Sequence, residues 1–237
     1  MTPSDYMNKY LRCVLWLGDD SVTEARIDQY LNRQSSSRAD AAWKAYERLV
    51  QGLAKKTGTR AWASQYEIDG WVFPIARLRK AFVGKGSPGA IQDVFLAASY
   101  CGQVTAATVQ DYADKYLGTD CNGFVGNYFG IDPNTEIAGY DGRRRSDPKD
   151  IRSRDVVLFV DAANHHKHIA LVDSVRGAAS AVQLTLVHSR GENAGGVQSE
   201  SITKTFKKDR EGHIYFEGPL GRHGYIVPPA SEGGPAE

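Results

Sequence analysis

The stretch His168–Ser189, HIALVDSVRGAASAVQLTLVHS, holds two short runs rich in β-branched residues, separated by the turn-prone RGAASA. Each run is too short for an amphipathic helix and reads as a strand. Paired as a hairpin, they set His168 at the start of one strand and His188 at the end of the other. His188 shares the face of Val182, Leu184 and Leu186, because side chains on a strand alternate with period two. The two imidazoles then stand side by side at one end of a sheet. Further runs of the same character, DVVLFV (155–160), SITKTF (201–206) and HIYFEG (213–218), extend this into a meandering antiparallel sheet after residue 150.

Upstream the pattern is helical. In SSSRADAAWKAYERLVQGLAKKTG, Trp43, Tyr46, Leu49, Val50 and Leu53 recur at threes and fours, and Gly58 marks a stop. The segment SVTEARIDQYLNRQ (21–34) predicts a helix with Ile27, Tyr30 and Leu31 inward. Ser87-Pro88 opens another with Ile91, Val94, Phe95 and Ala98 on one side. The stretch ASQYEIDGWVFPIARL holds a short strand, and AATVQDYADKYLG predicts a helix running to Gly118. Helices first and a sheet after them make the fold class α+β. Residues 1–104 read as a mainly helical region, and the tail 229–237, Pro/Gly-rich and polar, reads as disordered.

Between the two halves lies TDCNGFVGNY, Thr119–Tyr128. A structural cysteine normally sits among apolar neighbours, as Cys13 in RCVLWL and Cys101 in AASYCG do. Cys121 instead follows an aspartate and precedes Asn-Gly. With Asp120 as cap, Cys121 becomes the first residue of a helix, where unpaired N–H groups and the positive dipole end favour a thiolate. Asp120 is expected to turn into its own cap hydrogen bond. Gly123 and Gly126, three apart, predict close approach of that helix side to a sheet. A nucleophilic thiol needs a base and a group that orients the base, and His168 and His188 supply them. A metal site from His165, His166 and His168 is the competing use of the NHHKH cluster. It has no carboxylate or thiolate partner at a familiar spacing. His165 and His166 read as exposed turn residues, and His213 and His223 as histidines without a chemical role.

In order, DCNGFV, RDVVLF, HIALV and LVHS resemble the motifs of the NlpC-type papain-like cysteine peptidases, and HIALVDSV is similar to the CHAP amidases. The resemblance covers residues 105–228. It implies a papain-like fold with Cys121 as nucleophile, His168 as general base and His188 as the residue orienting the base, without metal or cofactor. The implied activity is amide hydrolysis, acting on the stem peptides of peptidoglycan, with an inhibitor or immunity protein as a further partner. In papain-like enzymes an imidazolium lowers such a thiol from about 8.5 to about 3–4, roughly 7 kcal/mol in favour of the ion pair. Asn122 stands where the family has serine, and Arg154 where it has glycine. Tyr112 or Tyr116 is the candidate for the family's substrate-orienting tyrosine.

Composition narrows the alternatives. Lys plus Arg (29) nearly balance Asp plus Glu (28), so no overall positive field recruits nucleic acid or anionic lipid. Arg143-Arg144-Arg145 reads as a solvated loop. No run approaches the roughly 20 apolar residues that cross a bilayer. The start of the chain lacks a leader pattern and three scattered cysteines make no disulfide framework, so synthesis in a reducing cytoplasm and release by lysis or specialised secretion are expected. A non-catalytic binding module on the same scaffold, and a deamidase or acyltransferase with another substrate, use the same residues.

Overall fold

The computed structural model of the protein describes residues 1–178 and 181–229. Among these residues the helices are α1 (Pro3–Leu11), α2 (Ala39–Thr57), α3 (Ile75–Ala81), α4 (Pro88–Tyr100), α5 (Val109–Tyr116) and α6 (Cys121–Phe129). The early strands are β1 (Cys13–Trp16), β2 (Val22–Ala25), β3 (Gln65–Ile68) and β4 (Trp71–Pro74). The later ones are β5 (Val156–Val160), β6 (His166–Ala178), β7 (Ala181–Ser189), β8 (Val197–Lys204), β9 (Lys207–Lys208), β10 (Ile214–Glu217) and β11 (His223–Val227). The fold class is thus α+β. The expected disordered tail lies, from residue 230 on, outside the described residues.

Contacts divide the chain into two compact units. Among the described residues, one comprises 1–7, 124–178, 181–188 and 198–229, the other 8–123 and 189–197. The division falls at Gly123/Phe124 inside α6, whereas the sequence suggested a boundary at 104/105.

The first unit is built on a seven-stranded sheet ordered β8-β7-β6-β5-β11-β10-β9. Strand β5, VVLFV, is buried at every position, as a continuous apolar run in the middle of a sheet requires. Its inward face, Val157 and Phe159, joins Ala170, Val172, Val182, Leu184, Leu186, Ile214, Phe216 and Ile226 in one core. The expected β6–β7 hairpin is present and antiparallel, with a register shift between Val172 and Ser174. The sheet is not a simple meander. HGYIV, β11, which is not among the strand runs named above, pairs with β5 on one side and β10 on the other. Gly224, its second residue, lies opposite Phe216, and a Cβ there would come 2.4 Å from the Phe216 ring. Removing the side chain lets the ring lie across the strand.

In the second unit α2 packs against α4 and α5, and α3 against α4. Ser87 caps α4, accepting from the Ala90 N–H at 3.2 Å, and α2 ends at Gly58 with φ 67°. The four inward residues expected on α4 are buried. QYEIDGWVFP forms the β3–β4 hairpin. Its Asp69-Gly70 turn takes positive φ at both positions (50° and 80°), the arrangement that favours Asp-Gly between strands. The helix expected over 21–34 does not form. Val22–Ala25 pairs with Cys13–Trp16, and the chain beyond is irregular. Ile27 and Leu31 are buried as expected. The backbone of this segment is satisfied elsewhere: Ile27 N–H donates to the Tyr10 carbonyl, the Asp28 carbonyl accepts from Val197 N–H, and the Gln29 carbonyl from Thr119 N–H.

Among the described residues no helix is long and apolar enough to cross a membrane. Gly224→Ala is expected to cost about 1–3 kcal/mol by overpacking the Phe216 ring, read as a lower urea midpoint at unchanged slope. A midpoint equal to the parent protein's would contradict this packing.

Candidate functional site

The loop before α6 is built around one carboxylate. Asp120 Oδ1 accepts from the Gly123 N–H at 2.6 Å, the expected cap, and Cys121 is therefore the first helical residue. Asp120 is only 2% exposed. Its remaining lone pairs face Lys85 Nζ (2.7 and 2.9 Å) and the Asn32 amide, which donates at 3.1 Å. Burial drives the Asp120 carboxyl upward, and the Lys85 ammonium, the Gly123 N–H and Asn32 work against that rise. A positive neighbour therefore sets off the charge that precedes the thiol.

The backbone closes tightly around this cap. Gly84 carbonyl accepts from Asp120 N–H at 3.0 Å and from Thr119 Oγ at 3.2 Å. Gly84 itself has φ 79°, and a Cβ on it would lie 1.8 Å from the Leu31 carbonyl oxygen. A Cβ on Gly123 would lie 2.1 Å from Gly84 oxygen, so both glycines are sterically required. The close approach expected of α6 is made, but not to a sheet. Gly123 meets the Gly84 carbonyl, and Gly126 faces Pro133 and the Tyr140 hydroxyl. Ser189 Oγ, one residue beyond His188, donates to the Thr119 carbonyl at 2.5 Å.

Cys121 is 9% exposed. In the same unit, burial pushes the Cys13 thiol up to about 12 and Cys101 up to about 11, which fits inert packing residues. Tyr30, on the irregular segment after β2, is the tyrosine that senses Cys121. Burial pushes its phenol up to about 12, and the charges of Cys121 and Asp120 add to that rise. Tyr112 is instead a core residue, its ring 5.9 Å from Phe95 and 5.0 Å from Tyr116. Tyr30, Asn32 and Lys85 were invisible to motif reading because they sit on unrelated stretches of sequence.

The other two expected site residues lie on the seven-stranded sheet and meet there. His168 Nε2 is 2.9 Å from His188 Nδ1, with ring centroids 5.0 Å apart. His188 is 1% exposed, whereas His168 is half-buried, with its ring 5.6 Å from Phe159. Glu200 on β8 brings Oε1 to 3.7 Å from His188 Nε2. The neighbouring histidines go elsewhere. His165 turns to Asp161 at 3.4 Å, and His166 meets Asp141 at 2.9 Å and is not an exposed turn residue. His165, His166 and His168 thus have three different partners. The arginine run is also more than a solvated loop. Arg144 binds Asp141 through two nitrogens (3.0 and 2.6 Å) and Arg145 binds buried Asp155 likewise (3.1 and 2.7 Å).

Lys85→Met removes the cation paired with buried Asp120, and a loss of about 3–5 kcal/mol is expected by urea denaturation. Adding Asp120→Asn, which keeps a capping oxygen, is expected to recover part of it. A Lys85→Met loss within about 0.5 kcal/mol of zero would contradict the ion pair's role. No protein-family model, curated protein or solved structure matches this chain.

Proposed function

We propose that the protein is a papain-like cysteine amide hydrolase, with Cys121 as nucleophile, His168 as general base and His188 as the group that orients His168. The Cys121 thiolate attacks an amide carbonyl. N–H groups of the first α6 turn are offered to the developing oxyanion. His168, as imidazolium, protonates the leaving amine and then draws a proton from the water that releases the acyl group. The substrate class is the peptide portion of bacterial cell wall, by the motif resemblance.

The observation that carries the reading is the 2.9 Å contact between His168 Nε2 and His188 Nδ1. It holds the half-buried His168 ring against a second, buried ring, the base–orienter contact that a nucleophile–base–orienter set requires. Three further features support it. The thiol occupies the first position of a capped helix. Thr119, two residues before it, accepts from Ser189, the residue after His188. Arg154 holds φ 76°, a conformation favouring glycine, at the position where the resembled motif carries glycine.

Purified protein incubated with cell-wall sacculi is expected to release stem-peptide fragments. Cys121→Ala is expected to release none, and His168→Ala to slow release by about 100- to 10,000-fold. Binding to sacculi without release would mark a binding module. Release that survives Cys121→Ala would contradict the nucleophile.

A further inference from the structure

The strand next to β7 carries a carboxylate on its inward side. In β8 the half-buried positions alternate as Gln198, Glu200, Ile202 and Lys204, and Ile202 packs against the same core as Val182, Leu184 and Leu186. Glu200 thereby shares the sheet face of His188. The 3.7 Å between Glu200 Oε1 and His188 Nε2 is longer than a hydrogen bond, so its effect is that of a charge beside a ring. The His188 side chain is nearly sealed from solvent and that of Glu200 is about two-thirds covered, which limits screening between them.

Two neutral imidazoles in contact share one proton, and two arrangements are open to them. In one, His188 Nδ1–H donates to His168 Nε2. That arrangement turns the bare His188 Nε2 lone pair toward the carboxylate and places the second His168 proton on Nδ1. In the other, His188 carries its proton on Nε2, toward Glu200. Its Nδ1 then accepts from His168 Nε2–H, and His168 Nδ1 is bare. The first sets a lone pair against an anion, and the second sets an N–H toward it. We infer that Glu200 fixes the proton positions of the His168–His188 pair and leaves Nδ1 of His168 basic. Glu200 is thus a positioning residue, acting through His188. Its catalytic meaning rests on the hydrolase reading above: the proton leaving Cys121 Sγ arrives on Nδ1 of His168 and later passes from there to the leaving amine. The proton placement itself does not depend on that reading. A charge on the inward side of an edge strand also blocks edge-to-edge pairing, a role that leaves ring tautomers unaffected.

The test uses full-length protein labelled with nitrogen-15, as Cys121→Ala, at about pH 8, where ordinary histidines are neutral. Long-range proton–nitrogen correlation reads each ring. Both His168 and His188 are expected as Nε2–H tautomers. Glu200→Gln is expected to move a measurable share of both rings to Nδ1–H, while Glu200→Asp, which keeps the charge, retains the original pattern. His188 found as Nδ1–H without substitution, or rings unchanged in Glu200→Gln, would overturn the assignment. In protein retaining Cys121, Glu200→Gln is expected to lower kcat about tenfold on wall fragments with KM unchanged. Absence of hydrolysis in the parent protein, with the tautomers as expected, would reject the hydrolase and keep Glu200 in its place.

Discussion

The buried Asp120 carboxylate fixes the loop that leads into α6. It caps α6 through the Gly123 N–H, binds Lys85 from the loop after α3, and accepts from Asn32 on the segment after β2. Desolvating a carboxylate and an ammonium offsets most of their attraction, so such a pair adds little net stability while fixing position strongly. Two distant stretches of sequence are held to the first turn of one short helix. Gly84 and Gly123 follow from this constraint, because the backbones that bring Lys85 and the cap together leave no room for a Cβ at either position. The position of Cys121 is a consequence of the same cap.

A second constraint acts in the sheet. The β6–β7 register changes by one residue between Val172 and Ser174, and Asp173 stands in the shift. Because side chains alternate, a slip of one residue turns an entire strand face over. The His168–His188 contact therefore depends on the core residues that lock the register, Ala170 and Val172 on β6 against Leu184 and Leu186 on β7. The buried His188 ring is held within the sheet, and the His168 ring beside it is half-exposed.

Much of this was legible in sequence, and the rest was hidden for identifiable reasons. Period two in VQLTLVHS placed His188 on its face, and Asp120-Cys121 ahead of Gly-Phe-Val announced the capped helix. The helix over 21–34 failed because Val22–Ala25 found a strand partner in Cys13–Trp16, a tertiary choice that local spacing does not encode. Strand β11 was missed because Gly224 interrupts it, and only the Phe216 ring across it explains that glycine. The β3–β4 hairpin had a readable signal in Asp69-Gly70. Lys85, Asn32, Tyr30 and Glu200 belong to no motif, because their roles depend on long-range contacts made by charged or polar side chains that look solvent-facing in sequence.

The proposed hydrolase requires that His168 hold the Cys121 thiol ionised below the ordinary thiol value of about 8.5. The most direct measurement is the pH dependence of Cys121 carbamidomethylation by iodoacetamide, followed by mass spectrometry against Cys13 and Cys101 as internal references. The account predicts rapid modification of Cys121 alone at about pH 6, and a His168→Ala profile moved toward the ordinary thiol value of about 8.5. A Cys121 that reacts no faster than the two packing cysteines at that pH, or a profile indifferent to His168→Ala, would contradict it.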